Sequence, residues 1–119
     1  MNESDIKITP FKLADYKKII FFTGAGMSKE SGIPTYRGEG GTWEKYNYRD
    51  YASQSAFEYD PEKVLIFHEK RRKEALSCRP HFGHRIISKL AKIHSSVCII
   101  TQNIDGMHQR SGLVNVIEL

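Results

Sequence analysis

The residues best placed to do chemistry stand in and beyond a glycine turn, Gly24–Gly26, that directly follows the apolar run Ile19–Thr23. Glycines let the backbone approach a phosphate closely, and a helix N-terminus offers unpaired N–H groups with a partial positive charge. Ser28 can add a hydroxyl donor, and Arg37 can add a fixed charge with a fork of donors. A strand, a glycine turn and the start of a helix therefore predict a phosphate-binding arrangement.

On its own the glycine turn is a weak signal, because short motifs of this kind often occur by chance. The third glycine of the usual dinucleotide motif is missing, since Lys29 stands in its place. The turn alone therefore leaves two interpretations open, a phosphate site and a glycine-rich turn that holds no ligand.

The longer sequence around the turn closely resembles the first signature of the sirtuin family. That string runs from Gly24 to Gly38 and reads GAGMSKESGIPTYRG. A second family signature, TQNIDGMH, occupies residues 101–108 and directly follows another predicted strand. Between them, PHFGH at residues 80–84 is similar to the family's Pro-Asn-x-x-His helix start, with His81 in place of the usual Asn. Two long signatures in the family's order make the resemblance specific, and it covers about residues 15–119.

The resemblance implies an NAD-dependent protein-lysine deacylase (deacetylase) with a Rossmann-type NAD-binding domain. In that family an acyl group moves from a lysine of a protein substrate to the ADP-ribose of NAD, and nicotinamide is released. The resemblance also implies which residues bind NAD. The pyrophosphate and its ribose are held by Gly24, Ala25, Gly26 and Ser28; the nicotinamide ribose is covered by Ile33, Pro34, Tyr36 and Arg37; and the nicotinamide with its carboxamide is taken by Gln102, Asn103, Ile104 and Asp105.

Within the last of these groups, the resemblance gives two residues separate roles. Asp105 is expected to accept hydrogen bonds from the carboxamide N–H groups, while the backbone of Ile104 donates one. The reaction passes through a cation-like sugar that water would otherwise trap, so we expect the pocket to be buried and poor in water.

No catalytic residue is assigned within the 119 residues. The family's general base is a histidine directly after a strand of the type Asn-Val-x-Glu-Leu, and Asn115–Leu119 matches that strand. The base is therefore expected immediately after Leu119, and zinc is expected only in a full-length parent, whose zinc module would follow the base. We expect the chain by itself to be inactive. The alternatives are a non-catalytic module that binds NAD or ADP-ribose and a degenerate remnant.

One further pair of residues bears on which acyl group is removed. Phe67–Arg71 aligns with a Tyr-x-x-Arg pair that sirtuins with a preference for acidic acyl groups, such as succinyl, use. Arg71 could bind a carboxylate with two parallel hydrogen bonds, and His68, which stands in place of the tyrosine, could donate another. The alternative is that both are ordinary positions on a helix surface, and the sequence leaves the two interpretations open.

The elements that must position these residues alternate between strand and helix, with a long loop from Gly32 to about Tyr59. Strands are predicted at Ile19–Thr23, Val97–Thr101 and Val114–Leu119, and helices at Phe11–Lys18, Met27–Ser31, Pro61–Leu76, Phe82–Ile93 and Asp105–Ser111. This order predicts a parallel sheet with right-handed crossovers. The fold class is α/β, a partial Rossmann-type parallel sheet flanked by helices and truncated before the sirtuin core is complete. Residues 1–14 form a lead-in, and residues 15–119 form the partial NAD-binding domain.

Patterns of apolar residues predict what is buried. Ile19–Thr23 is apolar almost throughout, which predicts a strand covered on both faces. Cys98 lies in a second apolar run and is expected to be a buried thiol. The exposed edge of the last strand, Val114–Leu119, would permit self-association.

Composition and charge indicate a single small globular domain and exclude several classes of protein. The 119 residues are 39% hydrophobic and 27% charged, with a net charge of +4. The basic cluster Lys70–Lys73 lies between glutamates and is interpreted as a solvated helix face, so no nucleic-acid partner is predicted. Cys78 and Cys98 form no C-x-x-C pair, so no metal site is predicted.

No apolar stretch suits a membrane span or a secretory signal, so a cytoplasmic location is expected. The partners that the resemblance implies are NAD and the acylated lysine of a protein substrate.

Overall fold

The computed structural model describes residues 9–119. Most of the predicted lead-in, residues 1–14, therefore lies outside the described residues. Where the sequence predicted a helix over Phe11–Lys18, the structure has a single 3-10 turn, Leu13–Asp15. The prediction was wrong because this turn buries no residue, and a helix this short gains too little from its own hydrogen bonds to extend without packing.

Three parallel strands form the sheet, and their bounds largely match the sequence prediction. They are β1 (Ile19–Thr23), β2 (Val97–Thr101) and β3 (Val116–Glu118), in the order β1-β2-β3. The last strand is shorter than the predicted Val114–Leu119, because its pairing with β2 begins only where Val116 meets Ile99. The predicted parallel α/β sheet is confirmed.

Within the described part of the chain, only one of the two faces of the sheet is covered. The first face contains Ile99, which is 1% exposed, and β2 contacts the helix that precedes it. On the opposite face Ile20 and Phe22 are 50% and 61% exposed, so the prediction that β1 is covered on both faces was wrong. Cys98 is only half-buried, which corrects the expectation of a buried thiol. An apolar run shows that both faces of a strand can be buried. Whether they are buried depends on the other elements that pack against the sheet.

Two longer helices follow the sequence prediction closely. They are α4 (Pro61–Ser77) and α5 (Phe82–Ile93). The Asp60 side chain accepts a hydrogen bond from the Lys63 N–H at 3.1 Å and so caps α4 at the predicted place. The side chain of His81 caps α5 by accepting from the Gly83 N–H at 2.9 Å.

Apolar residues recur at helical spacing along α5, but they are only partly buried. Ile87 is buried, as its helical spacing predicts. Phe82, Ile86 and Ile93 are 67%, 39% and 83% exposed. Within the described residues no element covers these three side chains.

The segment predicted as a long loop contains three short helices, α1 (Thr42–Lys45), α2 (Tyr48–Tyr51) and α3 (Gln54–Tyr59). Asn47 caps α2 and Ser53 caps α3, each through a side-chain oxygen that accepts a backbone N–H. Helices of four to six residues are too short to leave a periodic pattern of apolar residues in the sequence. The loop prediction therefore holds only from Gly32 to Gly41.

A last helix, α6 (Met107–Arg110), begins two residues later than the predicted Asp105–Ser111. Gly106 has a φ of +66°, in the left-handed region, so the helix cannot extend back through it. Gly112, with a φ of +108°, follows the end of the helix, where a glycine in the left-handed region is common. Among residues 9–119 no helix is long and apolar enough to cross a membrane.

Candidate functional site

The ends of β1 and β2 bring the two signature segments side by side. Thr23 pairs with Thr101 at the carboxyl ends of these parallel strands, so the turn that begins at Gly24 and the turn that begins at Gln102 leave the same edge of the sheet. The Asn103 side-chain Nδ2 donates to the Gly24 carbonyl oxygen at 2.8 Å. The two signatures are thus joined by a direct hydrogen bond.

The glycine turn leaves room and donors for a phosphate. A methyl group built on Gly26 would meet no atom within 4 Å, so this position faces open space. The Met27 N–H donates to the Gly24 carbonyl at 3.0 Å, whereas the N–H groups of Ala25 and Gly26 have no hydrogen-bond partner within residues 9–119. These features fit the close approach of a phosphate to the backbone.

The segment after the turn is a 3-10 helix, Ala25–Ser31, rather than the predicted helical turns at Met27–Ser31. Ser28 lies in this helix next to the second signature, and its side chain is buried, with 1% exposure. The Ser28 hydroxyl donates to Asp105 Oδ2 at 2.5 Å, and Asn103 Nδ2 lies 3.4 Å from the same hydroxyl oxygen. Three predicted site residues from two distant segments therefore form one cluster.

Asp105 keeps unused capacity to accept hydrogen bonds. Its Oδ1 accepts from the Met107 N–H at 3.0 Å, and its Oδ2 accepts from Ser28. A carboxylate offers about four lone-pair sites, so these two bonds leave room for the N–H groups of a carboxamide. Ile104, the residue before it, is 86% exposed. The side chain of Gln102 lies against the glycine turn, because a methyl group on Gly24 would come within 3.2 Å of its Oε1.

A buried chain of hydroxyl and imidazole groups lies beneath this cluster. The Asn103 N–H and the Thr23 hydroxyl both donate to Thr101 Oγ1, at 3.0 and 2.9 Å. His108 Nε2 lies 2.9 Å from Thr23 Oγ1. Because the Thr23 proton is directed to Thr101, the imidazole must donate, which assigns the proton of His108 to Nε2.

A second buried histidine lies against the first. His84 is 0% exposed, and its Nδ1 accepts from the His81 N–H at 3.2 Å, so its proton is on Nε2. The His84 and His108 rings have centroids 5.2 Å apart. His84 Nε2 is therefore a donor and His108 Nδ1 an acceptor, and neither has a partner in the described part of the chain. His84 therefore both caps the start of α5 and packs against His108.

Burial keeps both of these imidazoles neutral. Burial is the largest of the effects that lower the pKa of His84 to about 4, and the nearby His81 and His108 act in the same direction. Burial also lowers the pKa of His108, against an opposing effect of the Asp105 carboxylate. Sequence reasoning missed the link from His108 to Thr23, because nothing in the local sequence pairs residues that far apart.

The predicted cover of the nicotinamide ribose is only partly joined to the cluster. The Ile33 N–H donates to the Ser28 carbonyl at 3.3 Å, so the start of this segment is anchored. Pro34, Tyr36 and Arg37 are exposed, and no hydrogen bond in residues 9–119 links them to the glycine turn. The structure thus brings together the glycine-turn, Ser28 and second-signature residues, but not these three.

The two residues predicted to bind an acyl group lie one turn apart on α4. Arg71 is half-buried, donates to Thr42 Oγ1, and holds its guanidinium 4.6 Å from the centroid of the Tyr36 ring. The interpretation of Lys70–Lys73 as a solvated face was therefore wrong for Arg71. His68 is exposed, and its Nε2 lies 3.1 Å from the Tyr51 carbonyl oxygen.

The comparisons with known proteins match the part of the chain that forms this site. Residues 24–119 match the family model described as Sir2 family. The NAD-dependent protein deacylase 1 of Caldanaerobacter subterraneus subsp. tengcongensis is 43% identical over 115 residues, which cover 97% of this chain and 48% of that protein.

Two solved structures are similar to this chain. A Sir2 homologue in complex with NAD has a TM-score of 0.73 and 40% identity, covering 85% of this chain and 39% of the other. A Sir2 mutant with a deacetylated p53 peptide and 3'-O-acetyl ADP ribose has a TM-score of 0.77 and 36% identity, covering 86% of this chain and 41% of the other. The chain spans about half the length of the curated relatives it matches.

Proposed function

The chain belongs to the Sir2 family, and from this premise we propose that it contributes the binding of NAD to an NAD-dependent protein-lysine deacylase. In this proposal an acyl group passes from lysine to the ADP-ribose of NAD, and nicotinamide is released. The observation that carries the proposal is the Ser28–Asp105 hydrogen bond of 2.5 Å, which joins the two signature segments into one cluster. Relatives named as NAD-dependent protein deacylases support it.

We assign the binding of NAD to the two joined segments. The free N–H groups of the glycine turn hold the pyrophosphate, and the open space at Gly26 lets it approach. Asp105 accepts from the carboxamide N–H groups, and the backbone N–H of Ile104 donates to its oxygen. Tyr36 and Arg37 cover the nicotinamide ribose. NAD supplies the ribose carbon that receives the acyl oxygen, and these residues orient it.

The same proposal assigns no general base to the described residues. His84 and His108 are buried, neutral and engaged with their neighbours, so neither is placed to take a proton from a ribose hydroxyl. We therefore propose that these 119 residues bind NAD but do not deacylate by themselves. Measurable NAD-dependent deacylation of an acetyl-lysine peptide by the pure chain would contradict this.

The contacts of Arg71 bear on which acyl group is removed. An acidic acyl group could bind to Arg71 only by competing with Thr42 and the Tyr36 ring for the guanidinium. The contacts made in the structure therefore favour an ordinary acyl group such as acetyl. A succinyl-lysine peptide that binds more tightly than its acetyl counterpart, and loses this advantage in Arg71→Met, would reverse that assignment.

The test of NAD binding uses Gly26→Ala and calorimetric titration with NAD. The added methyl group meets no protein atom within 4 Å, so the fold should be retained while the phosphate is blocked. We expect NAD affinity to fall by at least about tenfold. The matched control is Lys29→Ala, an exposed position in the same 3-10 helix, which should bind NAD as the parent chain does. Failure of the parent chain to bind NAD, or equal binding by Gly26→Ala, would overturn the proposal.

A further inference from the structure

Arg71 is the point at which helix α4 is bound to the segment that contains Tyr36. Its guanidinium donates to Thr42 Oγ1 and lies 4.6 Å from the Tyr36 ring centroid and 6.0 Å from that of Phe67. The neighbouring Arg72 makes a contrasting contact, a surface ion pair with Glu69. Of these two adjacent arginines on one helix, only Arg71 reaches the segment.

This segment, residues 35–43, folds back on itself so that its two ends are hydrogen-bonded to each other. The Thr42 N–H donates to the Thr35 carbonyl at 2.7 Å, and the Trp43 N–H donates to the Tyr36 carbonyl at 2.9 Å. A methyl group on Gly41 would lie 2.9 Å from backbone atoms of Arg37 and Gly38, so the return is tight. Whatever holds Thr42 in place therefore holds the backbone of Tyr36 as well.

Aromatic rings complete this attachment. The Trp43 ring stacks on Tyr36 with centroids 5.6 Å apart and on Phe67 with centroids 6.2 Å apart. Arg71 adds a cation over the Tyr36 ring and a charged hydrogen bond to a hydroxyl that is itself buried, and both interactions are stronger out of water. Lysine could not supply the planar fork that stacks and donates at once.

From these contacts we infer that Arg71 is a positioning residue that fixes the segment 35–43 on helix α4. Its guanidinium bridges Thr42 and the Tyr36 ring, and so sets where Tyr36 and Arg37 stand. The attachment itself needs no ligand. Its consequence for NAD binding rests on the proposed function, in which Tyr36 and Arg37 cover the nicotinamide ribose.

The chain contains its own reporter, because Trp43 is its single tryptophan and lies within the attachment. In Arg71→Met, which keeps a long apolar stem but removes the guanidinium, we expect Trp43 emission to shift to longer wavelength and acrylamide to quench it more strongly. Cleavage by trypsin after Lys45 should become about tenfold faster, since cleavage follows the population of the open segment. The matched control, Arg72→Met, should leave both readouts unchanged.

A milder variant keeps the test decisive if Arg71→Met does not fold. Thr42→Val preserves the shape of the side chain but removes the hydroxyl that accepts from Arg71, so we expect the same changes at smaller size. Arg71→Lys should lie between the parent chain and Arg71→Met. Parent-like emission and cleavage in Thr42→Val, or equal changes in Arg71→Met and Arg72→Met, would overturn the inference.

Titration with NAD then separates this inference from the proposed function. If Arg71→Met binds NAD several-fold more weakly than the parent chain while Arg72→Met does not, the positioning role extends to the cofactor. If no protein binds NAD, the proposed function fails for this chain, and the inference is decided by Trp43 and the cleavage rate alone. If NAD binds equally to both variants although the segment has opened, the consequence for the cofactor is wrong.

Discussion

Ser28 and Asp105 stand 77 positions apart in the chain, and the serine hydroxyl donates to the aspartate Oδ2 at 2.5 Å. The hydrogen bond gives each residue a structural reason to be present, apart from any ligand. A test of function at this scale must therefore separate support of the fold from contact with the nicotinamide.

Asp105→Asn makes that separation. The amide oxygen can still accept from the Met107 N–H, so the free energy of unfolding should change by no more than about 1 kcal/mol. Its NH₂ group would face the carboxamide N–H groups of NAD, so we expect NAD affinity to fall about tenfold or more. ADP-ribose lacks the carboxamide and should bind Asp105→Asn as it binds the parent chain. Calorimetric titrations with both ligands check this, and an equal loss for both would show that Asp105 acts only through the fold.

His84 supplies a prediction about pH. Its pKa is lowered to about 4 in the folded chain, first by burial and then by His81 and His108. The unfolded chain, with a pKa near the ordinary value of about 6.5, therefore binds more protons between these limits. The contribution of a neutral His84 to the free energy of unfolding is complete above about pH 6.5 and is lost as the pH falls towards about 4. It amounts to about 3 kcal/mol.

Urea unfolding at intervals between about pH 4 and 7 measures this effect. The control is His84→Asn, whose side-chain oxygen can still accept from the His81 N–H but cannot be protonated in this range. We expect a flatter dependence of unfolding free energy on pH in that variant. The same slope in both proteins would assign the proton uptake to other groups, of which His108 is the first candidate because its pKa is also lowered.

At the scale of single elements, side-chain caps mark where several helices begin. Some of these caps are residue types that usually start a helix, and others are not. Asp60 followed by proline is a familiar start signal, and α4 begins there. His81 is a less usual cap, yet its Nδ1 accepts from the Gly83 N–H while His84 Nδ1 accepts from the His81 N–H. The pattern of two histidines three positions apart thus satisfies donors at both ends of the first turn.

The cap of α4 is tested by Asp60→Ala, which removes the acceptor for the Lys63 N–H. We expect the free energy of unfolding to fall by about 1 kcal/mol, measured by urea denaturation. Asp60→Asn retains the side-chain oxygen and should stay closer to the parent chain, losing only the interaction of the carboxylate with the helix dipole. An equal loss in the two variants would mean that charge, rather than the hydrogen bond, is what stabilises this end.

At the scale of the whole molecule, the bare face of the sheet is the main feature. Phe22, Ile100 and Ile117 are neighbours across the three strands, and Phe22 and Ile117 are 61% and 51% exposed. Among the described residues, β1 and β3 also each lack a strand partner on one side. A contiguous apolar face with open edges is a surface through which copies of the chain can associate, and the self-association expected from the last strand stays a prediction.

Sedimentation velocity over a range of concentrations tests this proposal. We expect the chain to associate as concentration rises, and Phe22→Lys to weaken association because it places a charge on the apolar face. Tyr59→Lys is the matched control, since Tyr59 is 92% exposed on α3 and does not belong to the sheet. Monomeric behaviour throughout, or equal weakening in both variants, would contradict a role for this face.

Much of the fold was predictable because its signals are local. The bounds of Ile19–Thr23, Val97–Thr101 and Phe82–Ile93 matched the structure, since apolar runs and helical spacing act over a few neighbouring residues. The two signature strings also placed the candidate site at the ends of β1 and β2. The three short helices between Thr42 and Tyr59 were not predictable, because each is too short to leave a periodic pattern. The rings of Trp43 and Tyr51, in the first two of these helices, pack against Phe67 of α4, which lies far from them in the sequence.

The sequence by itself determined the alternation of strand and helix, the family resemblance and the candidate residues for binding NAD. Only the tertiary structure decided that Ser28 bonds to Asp105, that His108 bonds to Thr23, and that Arg71 holds Thr42 instead of pointing into water. Each of these contacts joins residues 29 to 85 positions apart. Such contacts form only when strand pairing and helix packing bring distant segments together, and both depend on the whole chain. The propensity of a segment to form a helix or a strand, by contrast, depends on its own residues and their neighbours.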